Sequence, residues 1–553
     1  MPVTKKQGKE ESTETQTEGK GPVNLFSLID RNEVVRLLSQ VTEIHYKSPE
    51  FCKVICKIVS ILINEGGKGE DKDSENTFRS ELIKRGFISK LINIMLTYSS
   101  NNEVIVSSAY LLSTILHTAG GAGNNKEVRQ NLTTILSIFK FNMGNPGTCA
   151  AFLTLLSKID PTLLLQNDGE GIRLIITAIT TYKTQTSVFE TALSILRQAT
   201  TAARQRGAGP CGSTFMFTVG DVSVVVNIAL NFISSRDICF NALYLLYNIL
   251  TPQPPSTSSL LLADDNEGTR DGVRICGRKR SVELVGRSGT IEFVEEVAKR
   301  YSHDAEIGIW LGVVVTALSE SEQNSATLEK KDIYHHLAEF LKQNPTNETL
   351  VKNIFGAISR LCTPASFCPQ ATVGTRAKKT LADLVDLSLG ALQRLRFQEV
   401  ITVFCCCVLA TLSYNTDCCA RRIAQPANVP IVVKALECNM GSLDTCNNVC
   451  IVLCNALCGT DEATVRAAKI VADSGGVKLL LEVLRKHASA QIVVKNAASA
   501  LKNLSNAPGM VEKIRETDGV NIIGSVLRSI PQEDEQTRQY VELIYKTVKE
   551  TKK

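Results

Sequence analysis

The sequence predicts an all-α solenoid of about ten or eleven stacked repeats, and three observations carry that expectation. Helices of similar apolar pattern, set in register, place anchors at Ile61, Thr114, Lys158, Gln198, Asn248, Ala317, Arg360, Thr411, Asn455 and Asn503, with a truncated eleventh near Thr547. Successive anchors lie 40 to 53 residues apart, with one gap of 69, and a period in this range marks stacked helical units rather than one closed core. The composition is 44% hydrophobic but only 5% aromatic, so burial must rest on Leu, Ile, Val, Ala and Cys between close-packed helices.

Residues 1–22 are Lys, Glu, Thr, Gln and Gly with almost no apolar side chain. They lack the burial that would offset the entropy of ordering, so a disordered tail is expected. The solenoid is expected over 23–553, with no strand-turn alternation or long linker to divide it. Each repeat buries its apolar stripe against its neighbours, so the end units need one polar face. Leu25 to Leu38 reads as the N-terminal cap. Thr537 to Lys553, where Tyr540, Val541, Ile544, Tyr545 and Val548 alternate with charged positions, reads as the C-terminal one.

Two breaks in the period predict loop insertions, near 201–218 and 252–288. The first contains Gly207-Ala208-Gly209-Pro210-Cys211-Gly212, a literal G-x-G-x-x-G. It follows a helix rather than a strand and carries a proline, so it reads as a loop and not as a nucleotide site. The second opens with Pro252-Gln253-Pro254-Pro255 and serines, the composition of an exposed loop. It ends in Arg278-Lys279-Arg280-Ser281. The basic triplet makes Ser281 a candidate phosphorylation site, because phosphate there would reverse the local charge; a plain solvated loop is the alternative.

Three stretches share a pattern: Asn241-Ala242-Leu243-Tyr244-Leu245-Leu246-Tyr247-Asn248-Ile249-Leu250, Leu453-Cys454-Asn455-Ala456-Leu457, and Ala500-Leu501-Lys502-Asn503-Leu504. The last follows a Ser474-Gly475-Gly476-Val477 entry and precedes Gly519-Val520. This pattern resembles the armadillo family, whose unit is a short helix and two longer ones. HEAT-like helix pairs remain the alternative for the first half, where the Asn is missing.

The resemblance implies a right-handed superhelix whose third helices line a concave groove, with the Asn of Leu-x-Asn-Leu facing into it. An amide offers both donor and acceptor, so it can pair with the backbone of an extended peptide whatever that peptide's side chains. With helices 8 to 10 Å apart and an extended chain rising about 3.3 Å per residue, one repeat spans about three peptide residues. Asn248, Asn455 and Asn503 are the candidates for such contacts. Arg360, Lys495 and Lys502, on or near these helices, would bias the groove toward acidic segments of partner proteins. Capping of a neighbouring carbonyl, or exposure to water, is the competing reading of each Asn.

Nuclear-import adaptors of this fold carry a Trp one helical turn before the groove Asn. The equivalent positions here are Tyr244, Ile451 and Ser499, the single tryptophan, Trp310, is out of register, and residues 1–22 hold no arginine run. Arrays of the β-catenin type, which grip acidic extended ligands through groove Lys and Arg, are the closer match. Armadillo co-chaperones and assembly factors for cytoskeletal or ciliary motor proteins share the architecture and form the alternative.

The remaining chemistry points away from catalysis. The six histidines are His45, His117, His303, His335, His336 and His487, and none lies in a metal-ligand or nucleophile motif. His335 and His336 are expected on different sides of a helix. G-x-S-x-G, H-E-x-x-H and Walker patterns are missing.

Eighteen cysteines fall at positions that read as core, where reduced thiols act as small hydrophobes. Cys446, Cys450, Cys454 and Cys458 share a helix face but span about 18 Å, too far for one tetrahedral zinc. No metal or other cofactor, no small-molecule substrate and no membrane insertion is expected. Without a signal sequence or an apolar run long enough to span a bilayer, a cytoplasmic, and also nuclear, location is expected.

A net charge of +5 over 553 residues, with both signs interspersed, implies no strong field for phosphate. RNA-reading helical repeats need a regular pair of base-reading side chains, which the anchors lack, so nucleic-acid binding stands as a second alternative only. The expected function is that of a non-catalytic scaffold or adaptor that holds extended or helical segments of other proteins.

Overall fold

The computed structural model describes residues 31–66, 72–116, 126–206, 217–251, 280–362 and 375–550. The expected tail over residues 1–22, the start of the N-terminal cap segment and the G-x-G-x-x-G stretch lie outside them. Every regular element among the described residues is a helix. The chain divides into two compact units, Met1–Leu163 and Leu164–Lys553.

The first unit contains α1 (Arg31–His45), α2 (Pro49–Gly66), α3 (Lys72–Lys84), α4 (Phe87–Thr97), α5 (Asn102–Leu116), α6 (Lys126–Asn142) and α7 (Pro146–Leu156). Helices α2, α5 and α7 stack in sequence on one another, and α4 packs on α6. The three-helix module is therefore present here as α3, α4 and α5, while α6 and α7 form a pair. Lys158, placed at an anchor by sequence, lies in the turn beyond α7, because that helix already ends at Leu156.

The second unit opens with α8 (Glu170–Thr181), α9 (Thr186–Arg206), α10 (Val219–Asn231) and α11 (Arg236–Leu250). After a short α12 (280–285) come α13 (Ile291–Arg300), α14 (Ala305–Leu318), α15 (Glu322–Lys330), α16 (Ile333–Gln343) and α17 (Glu348–Leu361). Then follow α18 (Thr375–Leu395), α19 (Glu399–Asn415), α20 (Asp417–Ile423), α21 (Val429–Cys438) and α22 (Leu443–Ala456). The last two modules are α23 (Glu462–Asp473), α24 (Gly476–Lys486) and α25 (Gln491–Ser505), then α26 (Met510–Glu516), α27 (Gly519–Ser529) and α28 (Glu535–Glu550).

The third helices α9, α11, α14, α17, α19, α22, α25 and α28 each pack on the next, forming one continuous row within this unit. The second helices α13, α16, α18, α21, α24 and α27 form a parallel row. In α25 the small side chains of the Ala-x-x-Ala-Leu pattern make this stacking close: Ala497, Ala498, Ala500 and Leu501 are all buried.

Two local devices repeat and explain why the chain turns where it does. Most second helices start after a residue in the left-handed region: Gly86, Gly169, Gly289, Asp332, Gly475 and Asp518; α21 does not, following Asn428 in the right-handed region. Glycine and aspartate tolerate this backbone best. At the Gly475-Gly476 entry the second glycine is also fixed by space, since a Cβ on Gly476 would stand 2.8 Å from the Val471 carbonyl oxygen.

Several third helices, and α7 of the pair, begin with a side chain that accepts an orphan backbone N–H, whereas α19 and α25 do not. Asn145 accepts from Thr148, Ser235 from Ile238, Asp304 from Glu306 and Ile307, Asn347 from Leu350, and Ser442 from Thr445.

Both expected insertions are narrower than the sequence suggests. Thr201 to Arg206 continue α9 rather than opening a loop. Arg280 already begins α12, and Ser281 is only 1% exposed. Ser281 therefore does not present its hydroxyl on an exposed loop: Val282 and Val285, both fully buried, pull this helix into the stack. A Ser281→Glu chain should lose on the order of 3 kcal/mol of stability, because a carboxylate there is desolvated. Chemical denaturation compared with wild type checks this.

Candidate functional site

The exposed faces of consecutive third helices in the second unit meet at a cavity of about 720 Å³. Val313 and Thr316 of α14, Lys352, Asn353, Gly356, Ser359 and Arg360 of α17, and Val400 and Phe404 of α19 line it, with Glu320 at its edge. Its floor exists because position 356 has no side chain, so the Phe404 ring lies where a Cβ would reach, at 3.2 Å. Lys352 and Arg360 are exposed, and no carboxylate among the described residues forms an ion pair with either. Two cations thus face one carboxylate across an apolar floor.

One helix earlier the same row carries an aromatic stripe. Trp310 of α14 packs against Tyr244 and Tyr247 of α11, with ring centroids 4.2 and 5.0 Å apart. Phe240 continues the stripe one turn away, 6.1 Å from Tyr244. Over these rings lie arginines of α9: Arg197 at 5.8 Å from Phe240 and 5.4 Å from Tyr244, and Arg204 at 4.4 Å from Tyr247. Arg236 also approaches Phe240, at 6.0 Å, but its charge is neutralised by Asp304 and Glu306, each at 2.6 Å. Those two carboxylates, Asp304 first, hold the Arg236 guanidinium above its ordinary pKa.

The asparagines chosen from the sequence are placed differently from one another. Asn248 is 1% exposed and does not face a groove. Its Nδ2 donates to Thr200 Oγ1 and Thr201 Oγ1, both at 3.0 Å, tying α11 to α9. Asn455 Nδ2 donates to Ser413 Oγ at 3.1 Å, and Asn503 Nδ2 donates to the Cys454 carbonyl at 2.8 Å. Both are half-buried. Each of the three amides therefore braces its third helix to the preceding one.

The alternative foreseen for these residues, capping a neighbouring group, describes Asn503 directly. For Asn248 the groove assignment is replaced by a brace, because α9 lies close enough to cover it. An Asn248→Ala chain should lose about 1–2 kcal/mol: two hydrogen bonds of roughly 1 kcal/mol each, offset in part by the removal of Oδ1, which has no partner among the described residues. Urea unfolding followed by the fluorescence of Trp310 measures it.

The basic candidates are also separated. Arg360 lines the cavity. Lys495 sits with its Nζ 5.5 Å from the Tyr540 ring centroid, and Lys502 donates to Asn506 Oδ1 at 2.8 Å. Tyr540, read as part of a cap, is 38% exposed and belongs to this side of α28, whereas Val541, Ile544 and Val548 are fully buried.

In the first unit a cavity of about 450 Å³ lies between α1 and α4, lined by Thr42, Glu43, Tyr46, Lys90, Asn93 and Leu96. Its lysine is occupied: Lys90 Nζ donates to Ser39 Oγ at 2.7 Å and pairs with Glu43 at 3.3 Å. The charge imbalance seen in the second unit is not repeated there.

Neither cavity is lined by a cysteine or a histidine, and the buried thiols elsewhere are not activated. Burial pushes the Cys362 thiol up to about 12 and that of Cys454 up to about 11, and Cys405, Cys406 and Cys450 are raised for the same reason. Such thiols stay protonated near neutral pH and react poorly. The rings of His335 and His336, expected on different sides of their helix, meet edge to face at 5.5 Å. Neighbouring positions are only about 100° apart on a helix, and the imidazoles close that angle. Burial, then the charge of His335, holds His336 below its ordinary pKa. Among the described residues no group of three His, Cys, Asp or Glu is placed to hold a metal ion, and no helix is long and apolar enough to cross a membrane.

Comparison with known proteins adds the fold. No protein-family profile matches the chain, and no curated protein matches it by sequence. Among solved structures, one described under a phosphorylation switch that controls the interaction between cadherin and beta-catenin superposes with a TM-score of 0.54 at 10% identity. That match covers 94% of this chain and 97% of the other. SYS-1 aligns with a TM-score of 0.48 at 10% identity, over 94% of this chain and 99% of its own. The SYS-1/POP-1 complex gives 0.47 at 8%, over the same shares. At these identities the likeness is one of architecture: the chain has the armadillo-type helical solenoid fold.

Proposed function

We propose that the protein is a non-catalytic scaffold that holds an extended, acidic segment of a partner protein along the third-helix row of its second unit. The observation that carries this reading is the cavity formed by α14, α17 and α19, where Lys352 and Arg360 stand over an apolar floor with no ion-pair partner among the described residues. A bulky apolar side chain of the partner fits against Val313, Gly356 and Phe404, and flanking carboxylates meet the two cations. An unneutralised cation beside apolar surface favours such a ligand twice, through burial and through charge-assisted hydrogen bonds. The superposed structure concerns a protein that interacts with cadherin, which agrees with protein binding as the general role.

In this reading Asn455 and Asn503 keep an amide oxygen for the partner backbone while their Nδ2 groups brace the helices. Lys495 and Lys502 extend the basic face toward the C-terminal end. The buried, unbridged cysteines among the described residues fit a reducing compartment, cytoplasmic or nuclear. Affinity purification with the full chain, repeated with Lys352→Glu/Arg360→Glu, tests the assignment. Partners retained equally by both chains would remove the cavity from the binding site.

A further inference from the structure

The aromatic stripe on α11 and α14 presents the negative faces of Tyr244, Tyr247 and Trp310, with Phe240 beside them. A cation within about 6 Å of such a face is held there. An open stripe would therefore take lysine or arginine side chains of a partner. In this chain three of the four rings already carry an arginine of α9: Arg197 lies over Phe240 and Tyr244, and Arg204 over Tyr247.

We propose that Arg197 and Arg204 are built-in occupants of this aromatic ledge, and that by holding its ring faces they make it a receptor for acidic, not basic, polypeptide segments. This rests on the reading of the third-helix row as a protein-binding groove and deepens it.

Three observations support the assignment. A guanidinium lying over a ring face leaves N–H groups at its rim, and a pair of these matches a carboxylate with two parallel hydrogen bonds. Arg197 donates no side-chain hydrogen bond and forms no ion pair among the described residues; its Nε is enclosed by the protein, which leaves the two Nη groups at the outer end to meet a carboxylate. Arg204 engages Nη1 alone, with Thr251 Oγ1 at 2.6 Å and the Thr251 carbonyl at 3.3 Å. By contrast Arg236, against the same Phe240, has both of its carboxylates in place.

The arginines are also pre-positioned. Seven residues apart on α9, they lie on one helix face about 10 Å apart along its axis. Asn248 holds α9 to α11 through Thr200 and Thr201, which lie between them in sequence. The helix that carries both arginines is thereby fixed before binding, which lowers the ordering cost of an ion pair at a partly open surface.

The chain's single tryptophan sits in the ledge, so its fluorescence reports occupancy. Titrating the full chain with a glutamate-rich peptide should shift Trp310 emission saturably, and the effect should weaken as salt is added. A lysine-rich peptide of equal length should leave the emission unchanged. In Arg197→Ala/Arg204→Ala the response to the acidic peptide should weaken by about tenfold or more, and a response to the lysine-rich peptide should appear.

Should the alanine pair fail to fold by circular dichroism, Arg197→Gln/Arg204→Gln, which keeps the stems over the rings, is read for loss of the acidic response. Wild-type Trp310 that ignores the acidic peptide, or that responds equally to both peptides, overturns the ledge. So does a double variant with unchanged acidic affinity. If partners are still captured in a manner that depends on Lys352 and Arg360, such a result removes the ledge alone; if capture is also insensitive to those two residues, the groove reading falls with it.

Discussion

Lys352→Glu/Arg360→Glu should weaken binding of a captured partner segment by on the order of 100-fold, measured by fluorescence polarisation of the labelled segment. Both side chains are exposed in the free protein, so the substitution does not touch the core and stability should stay within about 0.5 kcal/mol. The effect arises in the complex, where each cation is covered by the partner and paired. Removing one side of a covered charge pair leaves the other unpaired, and reversing its sign adds repulsion. Raising the salt concentration should reduce the wild-type affinity and narrow the gap between the two chains. Lys478→Glu, at an exposed position on the second helix α24, should change neither.

The second large effect is one of packing. Gly312→Val should destabilise the second unit by about 3 kcal/mol, seen in urea unfolding followed by Trp310. A Cβ at position 312 would stand 2.9 Å from the Asn353 carbonyl carbon and 3.0 Å from its oxygen. The obstacle is backbone of α17, which cannot rotate away as a side chain can. Gly308, on the same helix, faces the ring of Phe340 and a methyl of Leu350 instead, groups able to shift by a few tenths of an ångström. Replacing Gly312 by Ala gains about 1 kcal/mol of helix propensity, which offsets part of the clash, so valine is the more decisive substitution. Because α14 and α17 both contribute to the cavity, Gly312→Val should also weaken partner binding.

The repeat architecture was legible because its determinants are local. Gly475-Gly476 announces a left-handed turn and a close approach, and the Asn496 to Leu504 helix shows small and large apolar residues at the spacing that stacking needs. What the periodicity could not show was which neighbour covers a given side chain. Asn248 and Asn503 occupy the same register position, yet one is sealed by Thr200 and Thr201 from a helix some fifty residues earlier and the other is half open.

Ser281 shows the converse. Its basic tripeptide reads as solvent-facing, while the burial of Val282 and Val285 decides the helix in which it sits.

The ledge was missed because its parts come from three helices. Phe240, Tyr244 and Tyr247 at a helical spacing, Arg197 and Arg204 two turns apart, and a lone tryptophan in the next repeat were each visible. Only the stacking of α9, α11 and α14 brings them together. The cavity over Gly356 left still less trace, since its defining feature is a missing side chain. Arg360 was picked out as a repeat anchor and as a basic residue near the groove helices, but without Lys352, the cation that stands beside it in the cavity.

The central claim is that the third-helix face of the second unit receives the partner. A photo-crosslinking amino acid placed at Thr316 or Ser359, within the cavity, and separately at Lys478 on α24, tests it in the full chain with partner present. The account predicts crosslinks from Thr316 and Ser359 to one acidic stretch of the partner and none from Lys478. Crosslinking from Lys478 with silence at both cavity positions would contradict it.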